Sequence, residues 1–90
     1  NSEYPASGVY AARCVMGGAA YNAVVVVGAR QEKDKPLAEV LLLDFDGDLY
    51  GKILEVETLK KVSDIEQCED EIALRRKIED DVKKARAYFA

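Results

Sequence analysis

The first apolar segment opens at Gly8 and runs Val9-Tyr10-Ala11-Ala12-Arg13-Cys14-Val15, rich enough in β-branched and aromatic residues to predict a strand over residues 8–15. Gly17-Gly18 is a hairpin signal, so a second strand over 20–27 returns antiparallel to the first. Its valines are unbroken from Val24 to Val27, which predicts burial on both faces or a closed sheet rather than one wet and one dry face. Residues 28–36 turn polar and charged, the composition of a loop. A third strand is expected over 37–45. Asp46-Gly47 then supplies the positive-φ position of a tight hairpin, with a fourth strand returning over 49–59 and Gly51 marking a bulge or a close backbone approach within it.

The period changes in the last third. Leu74, Ile78, Val82, Ala85 and Phe89 step by four, four, three and four, which places them on one face of a helix over 66–88. Ser63-Asp64-Ile65-Glu66 has capping-box spacing and Asp70 is a second cap, leaving the start open by about a turn. The expected architecture is mainly β: an antiparallel sheet of four to five strands with a C-terminal helix. Strands this apolar need closure or cover, because open edges pair with other chains. A homodimer joined through the open sheet edge is one way to provide it.

Ninety residues fit one domain. The absence of histidine excludes Ser-His-Asp and Cys-His nucleophilic systems, zincin-type metal sites and any imidazole acid–base step. Thirteen Lys+Arg against seventeen Asp+Glu, interspersed, leave no positive field for a phosphate backbone, so no nucleic-acid partner is expected. Arg75-Arg76-Lys77 and Lys83-Lys84 alternate with acidic residues at i,i+4 spacing and read as a solvated helix face. Cys14 and Cys68 lack metal-site or scaffold spacing and read as reduced thiols of a cytoplasmic protein; Cys68 is expected to be inert, its acidic neighbours Glu66, Glu69 and Asp70 opposing a lowered thiol pKa. The longest apolar run, 23–27, is too short to cross a bilayer, so no membrane partner is expected. Asp44, Asp46, Asp48 and Glu55 fall at positions one, three, five and twelve of a calcium-loop pattern, but Leu49 stands where that loop needs glycine, and a hairpin turn is the preferred reading, with no metal site assigned.

The most specific stretch is Ala38-Glu39-Val40-Leu41-Leu42-Leu43-Asp44-Phe45-Asp46-Gly47-Asp48-Leu49-Tyr50-Gly51-Lys52. It resembles the riboflavin kinase family, the flavokinase domain that in bacteria usually forms the C-terminal half of a bifunctional FAD synthetase. Gly8-Val9-Tyr10-Ala11, the strand at 21–28 and the closing Asp80-Asp81-Val82-Lys83-Lys84-Ala85-Arg86 keep the family's order. The resemblance implies a six-stranded antiparallel Greek-key barrel, incomplete here, with a helix packed against it. It also implies transfer of the γ-phosphoryl of Mg-ATP to the ribityl 5′-hydroxyl of riboflavin, giving FMN, and an adenylyltransferase domain on the N-terminal side. The family's base, a glutamate five residues before the first aspartate of the Asp-Phe-Asp motif, falls on Glu39. The same carry-over puts Asp48, Tyr50 and Gly51 on the nucleotide side, and Ser63, Ile65 and Cys68 on the flavin side.

Departures accompany the match. The family's Pro-Thr-Ala-Asn loop for phosphates and Mg²⁺ lies some twenty residues before the strand that starts at Gly8, where this chain has only seven residues, so that loop and a first strand or two are not in this polypeptide. Val26-Val27-Gly28-Ala29 replaces Asn-Ile-Gly-Thr, Leu41 replaces a histidine, Ser63 an arginine and Cys68 a phenylalanine. Two readings follow: a riboflavin kinase domain that is inactive as this piece, or a degenerate, non-catalytic barrel that supports an adenylyltransferase domain or mediates self-association.

Overall fold

The computed structural model describes residues 6–49 and 51–90. Strand β1 spans Gly8–Met16, and Gly17 and Gly18, at φ 59° and 83°, fold it back into β2, Ala19–Glu32. Met16 faces Ala19 across this turn, the two-residue hairpin in which both central residues need positive φ. Strand β2 continues well past the valines. Its pairing with β3, Lys35–Leu42, slips between Val27 and Gln31 and then resumes as Gln31 opposite Pro36 and Glu32 opposite Lys35. Lys33 and Asp34, at φ 52° and 64°, make the turn. The polar stretch 28–36 is thus a hairpin tip rather than a loop, because ladder hydrogen bonds are made by the backbone whatever the side chains face.

The other correction concerns the fourth strand. Asp44 takes the left-handed conformation, φ 58°, which an aspartate tolerates, and directs the chain away from β2 and β3. Lys52 N–H donates to the Leu49 carbonyl at 3.1 Å in a further turn, Ile53 is 87% exposed, and neither Leu49 nor residues 51–54 form a strand. Strand β4, Glu55–Ser63, begins only where it meets β1, pairing antiparallel with it from Glu55 opposite Val15 to Ser63 opposite Val9. The sheet order is β3-β2-β1-β4. Three consecutive hairpin-linked strands with the fourth returning beside the first is the Greek-key order. Among the described residues the sheet ends at β3 on one side and β4 on the other.

Alternation along β1 and β2 sends apolar side chains to both faces. Ala12, Cys14, Ala23, Val25, Val27 and Leu42 form one cluster, edged by Tyr21, Phe45 and Leu54; Tyr21 and Phe45 meet edge to face with centroids 5.2 Å apart. Val9, Ala11, Val24 and Leu43 form the opposite cluster, closed by Ala85 of helix α1, Glu71–Phe89. The valine run is therefore buried on both sides. Asp70 is the cap that operates: its Oδ1 accepts the Ala73 N–H at 2.8 Å, whereas Ser63 belongs to β4 and caps nothing. No helix among the described residues is long and apolar enough to cross a membrane.

Ala11 and Ala85 are both fully buried, so the helix and sheet approach at a point with no room for a longer side chain. Ala85→Leu is expected to cost about 1–3 kcal/mol by overpacking, read as a lower urea midpoint at unchanged m-value. Burial also pushes the Cys14 thiol up from its ordinary pKa, while Cys68 is partly exposed. An aromatic disulfide reagent should titrate Cys68 alone in the native chain and both cysteines only in denaturant; immediate reaction of both would contradict the buried position of Cys14.

Candidate functional site

The apolar stripe of α1 is longer than the surface it covers. Ala85 is buried and Val82 and Phe89 pack on the sheet, but Leu74 and Ile78, a turn or two earlier, remain 47% exposed. They face a groove of about 610 Å³ between the first half of α1 and the β2–β3 side of the sheet. Val9, Val24 and Val26 lie at its floor, Leu41 lines it from β3, and Ile65 lines it from the segment between β4 and α1. Leu41 is also 47% exposed, so the groove has uncovered apolar walls on two sides.

Its charges are few and sit among those walls. Glu39 lies on β3 opposite Val26 of β2, half-buried, and lines the groove. Arg30, from the extended end of β2, donates to Glu39 Oε2 at 2.8 Å. This hydrogen bond, with the accompanying charge attraction, raises the Arg30 pKa, so the guanidinium stays charged. On the helix side, Lys77 Nζ donates to Asp81 Oδ2 at 2.5 Å and to Ser63 Oγ at 3.0 Å, and Ser63 Oγ donates to Asp81 Oδ1 at 2.6 Å. Asp81 is 5% exposed; this closed set of bonds is what permits a carboxylate there. Glu66 completes the charged residues of the lining: two cations against three carboxylates. Nearby on the surface, a hydrogen bond from Lys61 at 2.8 Å holds the Asp64 carboxyl below its usual range.

The residues singled out in the sequence are placed unevenly. Glu39 and Ile65 line the groove together. Ser63 stands behind its helix-side wall, bonded to Asp81 and Lys77. Cys68 is half-buried, its thiol directed to the Glu66 carbonyl at 3.8 Å, and does not line the groove. Asp48 and Gly51 lie in the segment between β3 and β4, outside the groove lining, with Gly51 at φ 75°; Tyr50 lies outside the described residues. That segment is tied to the other end of the helix, where Arg86 donates to Asp44 at 3.2 Å, about 13 Å along the axis from Lys77.

Arg30, Glu66, Lys77 and Asp81 were not legible as site residues. Arg30 reads as loop and Lys77 as part of a solvated helix face. A signal was present for the helix pair: Lys77 and Asp81 fall between Leu74, Ile78, Val82 and Ala85 on the same helical face, an ion pair written into an apolar stripe.

Comparison with known proteins gives this geometry a family. Residues 1–89 match the family model for riboflavin kinase, or flavokinase. A bifunctional riboflavin kinase/FMN adenylyltransferase of Bacillus subtilis (strain 168) is 30% identical over 97 residues, covering 100% of this chain and 31% of the relative. The protein of the same name from Haemophilus influenzae is 34% identical over 88 residues, covering 94% of this chain and 29% of its own. Among solved structures, a macrolide-efflux protein from Streptococcus pneumoniae superposes with a TM-score of 0.78 at 28% identity, over 91% of this chain and 28% of that one. This chain thus spans less than a third of the length of each of these proteins, and the sheet and helix described above are what the solved structure shares with it. By the match over nearly its whole length, the chain belongs to the riboflavin kinase family.

Proposed function

We propose that this chain supplies the flavin face and the base of a riboflavin kinase site, in a protein that makes FMN from riboflavin and Mg-ATP and carries an adenylyltransferase domain as well. The groove between β3 and α1 carries the reading. Its apolar walls suit a flat ring system, and its excess of carboxylates disfavours a triphosphate, so the ring lies there and the phosphates do not. Glu39 stands in the groove lining with its side chain 42% exposed, where a ribityl chain leaving the ring can bring its 5′-hydroxyl to the carboxylate.

Catalysis of this transfer is mainly positioning and charge neutralisation. Glu39 accepts the hydroxyl proton as the new P–O bond forms, and Arg30 holds the carboxylate on the groove side of β3. When bound, ATP would supply the phosphoryl group and its magnesium would neutralise charge on the phosphates. The side chains of the groove do not fit that ion: among the described residues no group of three or more Asp, Glu, Cys or His side chains suited to a metal is brought together. The nucleotide side falls to the segment with Asp48, Tyr50 and Gly51, where the backbone at Gly51 is open to an approaching ligand. Leu41, apolar beside Glu39 in the groove lining, favours the second reading, a non-catalytic barrel.

Glu39→Gln separates the two. In a longer protein that carries an upstream Pro-Thr-Ala-Asn segment, the substitution should lower kcat about 100-fold or more while the riboflavin Kd stays within about threefold. FMN formation undiminished by Glu39→Gln, or absent from the unsubstituted protein, would remove the catalytic reading.

A further inference from the structure

The cation of the helix-side wall is fixed in an unusual way for a lysine. Lys77 is 16% exposed at its side chain, and the bonds to Asp81 and Ser63 remove most of the freedom of its four-carbon stem. An ammonium has three N–H donors, and these partners take two. Lys77 lines the groove between Leu74 and Ile78, so the third is a charge-assisted donor set into an apolar wall. Asp81 cancels the charge, and with Glu39 and Glu66 nearby the lining carries no excess positive field to draw in a phosphate. The acceptor that suits such a donor is neutral, such as a ring carbonyl oxygen.

We propose that Lys77 orients the flavin ring in the groove by donating its third N–H to a carbonyl oxygen of the ring, with Asp81 and Ser63 as positioning residues that aim it. The contact determines specificity for a ring with a carbonyl at that edge, and it rests on the flavin reading of the groove.

The test titrates riboflavin, 2-thioriboflavin and 4-thioriboflavin into the full chain, following flavin fluorescence and absorbance. Sulfur accepts hydrogen bonds weakly, so the chain should prefer riboflavin over one thio analogue by about tenfold or more. The double variant Lys77→Met/Asp81→Asn, which leaves no unpaired buried charge, should bind riboflavin about tenfold more weakly and bind all three flavins alike. A chain that binds the three flavins equally, or a folded double variant that keeps the preference, overturns the Lys77 contact and leaves the flavin reading standing. A chain that binds none of them overturns the flavin reading itself. The analogue arm uses the unsubstituted chain and decides the matter even if the variant does not fold.

Discussion

Strands β1 and β2 are apolar on both faces, and the rest of the molecule is arranged around covering them. Val9, Ala11 and Val24 point one way while Ala12, Cys14, Ala23, Val25 and Val27 point the other, all below 5% exposure. Each fully buried valine contributes about 1.5–3 kcal/mol relative to exposure, so leaving either face wet would forfeit a large part of the stability of a chain this small. One face is covered by α1. Small residues at the crossing, Ala11 and Ala85, bring helix and sheet together, but only over the second half of the helix. The uncovered first half is what creates the groove.

The position of the helix over the sheet is set by two polar contacts. Around its middle, Ser63 at the end of β4 is joined to Asp81 and Lys77; near its end, Arg86 reaches Asp44 just beyond β3. The first is nearly buried and the second exposed, so they differ in what they do. An exposed pair is worth little, whereas a satisfied buried group specifies one arrangement because any displacement leaves a carboxylate without donors. Asp81 therefore links fold and site: the contact that seats the helix also holds a cation at the groove wall.

Much of this was legible in the residues themselves. The β-branched and aromatic run of β1, the Gly17-Gly18 turn, the doubly buried valines and the Asp70 cap are local signals, and the structure carries all of them. Where reading failed, the deciding contact was distant. The Asp46-Gly47 pair pointed to a β3–β4 hairpin, but β4 is defined by its partner β1, forty or more residues back. Arg30 looked like loop because β2 runs on through polar residues whose side chains carry no strand signal. Glu39 and Ile65 were named by resemblance, and the structure brings them into one groove. Lys77 and Asp81 looked solvated because i,i+4 charges usually are, although their spacing puts them on the apolar face of α1; the bonds to Ser63 show that this face seats them against β4.

The central claim is that the groove between β3 and α1 holds the flavin ring, and amide chemical-shift mapping of the isotopically labelled chain with riboflavin tests it most directly. Perturbations should concentrate at Leu41, Ile65, Leu74 and Ile78, leaving Tyr21, Phe45 and Leu54 on the opposite face unchanged. Perturbations centred on Tyr21, Phe45 and Leu54 instead would place the ring on the other side of the sheet and contradict the account.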